Sequence, residues 1–286
     1  MDDLDFTAPR VAPAKPAYDA GAARAFFASR GEDVRASAGE IIFAEQEKSN
    51  RLLLRRDKMY LLLEGEVELS VKGQLIGRIM PGEVFGELAS LTQAARSATA
   101  TAKTACRFIA LDDRQFLLAL RDSPEFALTL MGLIVDRLRA TLDKIGTSAA
   151  LSAVAPGREG PSLDKGLLSD LLAESGDNAR MRFAAGRVIM EQGQSGVLMY
   201  VVLEGSVQIR IGDSVVETVG PGGMFGEMAL VGRTQRLAGA VAESECVLLP
   251  INRNVFVDLV KTNPKFGLSL LVAVGERARR MAAQRP

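Results

Sequence analysis

The sequence predicts a mainly β protein with flanking helices: two tandem β-roll (jelly-roll) units, each ending in a long helix. Three observations carry this expectation. First, one unit is written twice. Leu63-Glu64-Gly65 recurs as Leu203-Glu204-Gly205, and Phe85-Gly86-Glu87 recurs as Phe225-Gly226-Glu227. Arg96, Cys106, Phe116 and Pro124 recur as Arg236, Cys246, Phe256 and Pro264, every pair 140 residues apart. A constant offset without a gap marks a duplication. Second, each unit is a series of short apolar or β-branched runs punctuated by Gly and Pro, the pattern of a sandwich or roll. Third, each unit closes on an apolar stripe of helical period.

The elements follow in order. Residues 1–20 hold Pro9, Pro13 and Pro16 among alanines and read as a flexible arm, and a short helical pattern covers Ala22 to Ser29. Met59–Leu63, Val67–Val71 and Leu75–Met80 read as strands, with a turn at Lys72-Gly73. Leu198–Leu203, Val207–Ile211 and Val215–Val219 repeat them around Gly212-Asp213. Pro81-Gly82 and Pro221-Gly222 break each sheet before the Phe-Gly-Glu segment. Upstream the offset changes, because Gly39 pairs with Gly186 (186 − 39 = 147), so repeat one carries seven extra residues between Glu45 and Met59.

Each terminal helix has a start signal. Ser123-Pro124-Glu125 offers a cap, a proline at the first helical position and an acid on the positive end of the dipole, and Asn263-Pro264 repeats the first two. The stripe in repeat one is Phe126, Leu130, Ile134, Leu138, Leu142 and Ile145, and in repeat two Phe266, Leu270, Val274, Ala278 and Met281. Both run further than one roll covers, which points to helix–helix association, with packing on the helix's own unit as the alternative. Gly146 to Gly166, rich in Ala, Ser and Gly, reads as a linker. The expected organisation is therefore an arm at 1–20, units at 21–146 and 167–286, and a linker at 147–166.

Composition narrows the chemistry. The 286 residues are 48% apolar and 24% charged, an ordinary folded chain with room for two cores. Basic and acidic residues number 35 each, so no global field draws the chain to nucleic acid or membrane. Histidine is absent, which removes imidazole bases and imidazole metal sites, and two cysteines are too few for an all-cysteine zinc site. No catalytic residues and no metal site are expected. Cys106 and Cys246 occupy the same place in separate units and read as buried core thiols. An acidic start (Met1-Asp2-Asp3) and the lack of a long apolar run give the expectation of a cytoplasmic protein that meets no membrane.

One segment carries chemistry: Phe85-Gly86-Glu87-Leu88-Ala89, followed by Arg96-Ser97-Ala98-Thr99. Glycine beside a short helix lets backbone amides approach an anion. An arginine fork matches phosphate oxygens, while a carboxylate accepts hydrogen bonds from sugar hydroxyls. Together they ask for a ligand with both a phosphate and a free hydroxyl, which describes a nucleotide. The plain alternative is that Glu87 and Arg96 pair with each other across a loop. Recurrence of the segment at Gly226, Glu227, Met228 and Arg236 favours the functional reading.

With Gly39, Ile42-Phe43, Glu45 and Leu63-Glu64-Gly65, these residues resemble the cyclic nucleotide-binding domain. That domain is found in the bacterial catabolite activator protein and in the regulatory subunit of cyclic-AMP-dependent protein kinase. The resemblance covers both repeats and implies two β-rolls whose final helices act as lids, a cyclic nucleotide (cAMP expected) as ligand, and no cofactor. By the resemblance, Glu87 and Glu227 hold the ribose and Arg96 and Arg236 the phosphate. Gly86 and Gly226 give close backbone approach, Leu88 and Met228 follow in the same motif, and Ser97 adds a hydroxyl. Asp136-Arg137-Leu138-Arg139-Ala140-Thr141 resembles the activator's lid helix, which makes Thr141 a base-contact candidate.

Departures qualify this. Gln46 stands where the family has glycine. Leu237 replaces the small residue after the arginine and Met281 stands in the place of Thr141, so a weakened second site is expected. The chain stops at Pro286 with no helix-turn-helix, so direct nucleic-acid binding is not expected, and residues 1–30 hold no kinase-substrate mimic. The tail arginines Arg277, Arg279, Arg280 and Arg285 read as a solvated helix face. The expected function is a cytosolic cyclic-nucleotide sensor that signals to an unknown protein partner through its lid helices, with a homodimer through the same helices as a further partner expectation. The alternative is a scaffolding pair of rolls with degenerate pockets.

Overall fold

The computed structural model describes residues 18–48, 57–145, 162–175, 179–231 and 235–282, apart from the side chains of 138–145, 174–175 and 280–282. Repeat one begins with α1 (Ala20–Arg30), then β1 (Glu32–Ala36), β2 (Ile41–Phe43), β3 (Met59–Glu64), β4 (Val67–Val71), β5 (Gln74–Ile79) and β6 (Val84–Phe85). It continues with α2 (Glu87–Thr92), β7 (Thr99–Ala102), β8 (Cys106–Leu111), α3 (Asp113–Asp122) and α4 (Phe126–Ile145). Repeat two starts with α5 (Lys165–Ser175), β9 (Met181–Phe183), β10 (Val188–Met190), β11 (Met199–Glu204), β12 (Val207–Ile211), β13 (Ser214–Val219) and β14 (Met224–Phe225). A 3-10 helix (Glu227–Val231), β15 (Gly239–Ala242), β16 (Cys246–Ile251), α6 (Arg253–Thr262) and α7 (Pro264–Ala282) complete it.

Each repeat folds its strands into two antiparallel sheets, and the duplication extends to their order. Repeat one gives β1-β8-β3-β6 and β2-β7-β4-β5; adding eight to each number gives the two sheets of repeat two. Even the irregularities recur, since the β3–β8 ladder shifts register between Leu62 and Glu64 and the β11–β16 ladder between Val202 and Glu204. Inside the rolls, Tyr60 stacks on Phe85 and Tyr200 on Phe225 with the same ring separation of 5.2 Å. Cys106 and Cys246 are buried in the corresponding clusters, as expected of core thiols.

The helix starts differ between repeats. Pro264 opens α7, and Asn263 Oδ1 accepts from the Lys265 amide at 3.3 Å, as the start signal predicts. In repeat one, Ser123 instead closes α3 by donating its backbone N–H to Ala119 O, and α4 begins only at Phe126 after a turn. The segment read as an arm ends in ordered structure. Tyr18 donates its hydroxyl to Gly82 O at 2.6 Å, Asp19 caps α1, and burial raises the Tyr18 pKa to about 12. At the same place in repeat two, Leu163 N–H donates to Gly222 O.

The apolar stripes find each other. α4 packs on α7 within the chain, and Phe126, Leu130 and Ile134 share one buried cluster with Phe266, Leu270, Val274 and Ala278. Burying one such large side chain stabilises by about 1.5–3 kcal/mol. A single neutral hydrogen bond is worth about 0.5–1.5 kcal/mol. A seam of this size stays closed when one polar contact changes. None of the described helices is long and apolar enough to cross a membrane.

Candidate functional site

β6 delivers the chain to Gly86, which adopts φ 73°, and Gly226 after β14 adopts φ 76°. The left-handed conformation favours glycine, and so does the space: a Cβ would stand 3.0 Å from Arg96 Nη1 at Gly86 and 2.9 Å from Arg236 Nη1 at Gly226. Each arginine folds back over this glycine. Arg96 Nη1 donates to Gly86 O and Nη2 to Lys58 O, both at 2.9 Å. Arg236 Nη1 donates to Gly226 O at 2.8 Å and Nη2 to Leu198 O at 2.7 Å. The two arginines are only 5% and 8% exposed. A guanidinium carries five N–H donors. Two of them are spent on carbonyls that fix its plane.

Glutamate and arginine do not pair with each other, so the plain alternative read from the sequence is set aside. Glu87, 2% exposed, meets Arg137 Nη1 of α4 at 2.6 Å, and Arg137 Nη2 donates to Val84 O at 2.6 Å. Glu227 meets Arg277 of α7 at 3.1 Å, and Arg277 also donates to Met224 O at 2.6 Å and to Glu217 at 3.0 and 3.2 Å. The solvated-face reading of Arg277 is thus corrected: its side chain is 14% exposed and bound to two carboxylates. Burial alone would lower its pKa, but Glu227 and Glu217 override that and hold it above the ordinary arginine value. Both of these terminal-helix arginines are legible through the 140-residue offset (277 − 137 = 140).

The acids are distributed differently. In repeat one, Asp57 Oδ1 lies 3.5 Å from Arg96 Nη2, while Asp57 Oδ2 is buried without a hydrogen-bond partner among the described residues. Val197 stands at the matching position of repeat two (197 − 57 = 140). Conversely Glu217 of repeat two matches Gly77 of repeat one (217 − 77 = 140). Arg96 also lies over the Phe43 ring, 4.2 Å from its centroid, a cation–π contact. Burial lowers the pKa of Arg236, with Tyr200 and Glu227 opposing.

The remaining candidates are spread out. Leu88 and Met228 are half-buried against the helical core. Ser97 is exposed and Leu237 half-buried. The side chains of Thr141 and Met281 lie outside the described residues, as does most of the repeat-one insertion. Beside Arg236 a cavity of about 190 Å³ opens between Met190, Gln194, Val197 and Tyr200. Cavities for drug-sized ligands run to roughly 300–1,000 Å³, so this one must widen to take a nucleotide. Glu227 does not line it; its carboxylate faces Arg277. Among the described residues no cluster of acids and thiols suits a metal ion.

The family profile described as "Cyclic nucleotide-binding domain" matches residues 33–123 and 180–263. The chain belongs to that family. Its two cyclic nucleotide-binding domains are similar in sequence to cyclic-nucleotide-dependent kinases and their regulatory subunits. The cGMP-dependent protein kinase egl-4 of Caenorhabditis elegans is 26% identical over 237 residues, covering 80% of this chain and 26% of the relative. The cAMP-dependent protein kinase regulatory subunit of Hypocrea atroviridis is 29% identical over 189 residues, covering 66% and 36%. The chain therefore spans only about a quarter to a third of these relatives. A co-crystal structure of the Toxoplasma gondii PKA regulatory domain with cAMP aligns at 22% identity over 90% of this chain and 87% of that chain, with a TM-score of 0.30. Both Phe-Gly-Glu segments, the cassettes, fall within the matched residues.

Proposed function

We propose that this protein senses a cyclic mononucleotide, with cAMP as the preferred ligand, through domains at 21–146 and 167–286, and passes the signal to a protein partner through its lid helices. The observation that carries the reading is the way each cassette arginine is held. Carbonyls ten residues upstream and thirty-eight residues upstream fix Arg96, and the same separations fix Arg236. A guanidinium oriented this way binds a phosphate without first losing its own freedom. Gly86, Glu87, Leu88, Arg96, Ser97 and Thr141 form the proposed first site, and Gly226, Glu227, Met228, Arg236 and Leu237 the second. Each carboxylate would accept from the ribose hydroxyl while still accepting from its lid arginine, so ligand and lid meet at Glu87 and Glu227. Ligand shifts the lid only if it binds one arrangement better than another.

A scaffolding role has its own support in the small cavity of repeat two and the seam between α4 and α7. Thermal melting with cAMP, cGMP and linear 5′-AMP separates the two. The sensor reading expects the melting temperature to rise with a cyclic nucleotide and not with 5′-AMP. No rise with any of them supports the scaffold.

A further inference from the structure

α7 belongs to repeat two by sequence, yet it lies across the cassette of repeat one. Gly275 faces α2, where a Cβ would stand 3.2 Å from Thr92 Cγ2 and 3.6 Å from Leu88 Cδ2. One turn further on, Arg279 Nη1 donates to Ala95 O at 2.7 Å. Ala95 is the residue before Arg96. α4 returns the contact by packing on the 3-10 helix of cassette two, with Gly132 beside Val231. Each terminal helix therefore crosses to the opposite cassette.

The geometry of α7 explains how one helix serves both. At 3.6 residues per turn, side chains two positions apart point to nearly opposite sides. Arg277 reaches Glu227 in cassette two, and Arg279 reaches Ala95 in cassette one. The Arg279 pKa is lowered by burial, with Glu276 opposing, so this guanidinium is drawn out of water to make the contact. A desolvated cation that satisfies one specific carbonyl fixes that carbonyl in return.

We propose that Arg279 is a positioning residue for the first site: held on repeat two, it sets the loop from which Arg96 meets the phosphate. This rests on the cyclic-nucleotide reading above. A site with this dependence is completed only when both repeats are folded and docked, although the two residues are 184 positions apart.

Calorimetric titration of the full chain with cAMP and with cGMP tests it, the first site being the one whose heat disappears in Arg96→Leu. Arg279→Ala is expected to weaken that site about five-fold, a part of what a charged hydrogen bond is worth. Arg279→Lys should recover more than half of the loss, because an ammonium still reaches a carbonyl. The second site should keep its affinity, an outcome that general destabilisation would not give. Gly275→Leu, which wedges α7 away from α2, should reproduce the Arg279→Ala loss without touching a charge. First-site affinity unchanged within two-fold in both Arg279→Ala and Gly275→Leu overturns the proposal while leaving the sensor reading intact. Absence of any binding by the unaltered protein overturns both.

Discussion

The two repeats use the same charges in different places. Each holds two buried or half-buried arginines and two carboxylates around its cassette: Arg96, Arg137, Asp57 and Glu87 in repeat one, and Arg236, Arg277, Glu217 and Glu227 in repeat two. In repeat one the second acid sits on the cassette arginine. In repeat two it sits on the lid arginine. The arithmetic of charge is equal, but the mechanics are not. Arg137 is 36% exposed and holds the buried Glu87, whereas Arg277 is 14% exposed and holds both Glu217 and Glu227, so losing Arg277 strands more buried charge. Repeat two thus ties its lid firmly and leaves its cassette arginine without an acid at position 197. Repeat one ties its terminal helix through the buried Glu87 and places Asp57 beside its cassette arginine. The duplication supplied one frame, and two exchanges, Gly77 against Glu217 and Asp57 against Val197, moved the second acid from one arginine to the other.

The largest effect expected from this difference is on stability. Arg277→Met leaves Glu217 and Glu227 buried without their cation and should cost about 3–5 kcal/mol in urea unfolding. Arg137→Met should cost less than half of that. Equal losses would erase the distinction between the two terminal helices.

A second pair of variants probes the cassette arginines. Arg96→Leu strands Asp57 as well as two carbonyls, so it should destabilise more than Arg236→Leu, by about 1–3 kcal/mol, the cost of one buried unsatisfied group. Adding Asp57→Val to Arg96→Leu should restore most of that difference and none of the binding. If the double variant is no more stable than the single one, Asp57 is not the acid that steadies Arg96.

The smallest effect concerns the loop before the insertion. Gln46 adopts φ 63° and its counterpart Gly193 adopts φ 83°. Gly193→Gln should cost about 1–2 kcal/mol, the penalty of a side chain in the left-handed region. Gln46→Gly should change stability by less than this, because relief of strain is offset by the greater freedom of glycine in the unfolded chain. The reverse order would mean that the insertion has relaxed the loop differently.

How much of this was legible from the chain depends on the separation of the interacting residues. The strands, the terminal helices and both cassettes lie within short windows, and the constant offset let each copy check the other. Gly86 and Arg96 were found because they share one loop. Glu217 was not, because it sits in an ordinary strand and meets Arg277 sixty residues later. Asp57 was hidden in the basic insertion at the edge of Met59. Helical arginines usually face solvent, but Glu217 and Glu227 draw Arg277 into its own repeat, and Ala95 of the other repeat draws in Arg279. The lid pairing of Arg137 and Arg277 was within reach of the sequence through the same offset. The contact from Arg279 to Ala95 was not, since a backbone carbonyl leaves no mark in the residue pattern.

The claim on which the account turns is that Arg96 is held ready for a cyclic phosphodiester. Calorimetric titration of the unaltered protein and of Arg96→Leu with cAMP tests it most directly. The account predicts saturable binding that falls at least about 100-fold in Arg96→Leu, the loss of two charge-assisted bonds. Binding that survives the substitution at full strength would contradict it.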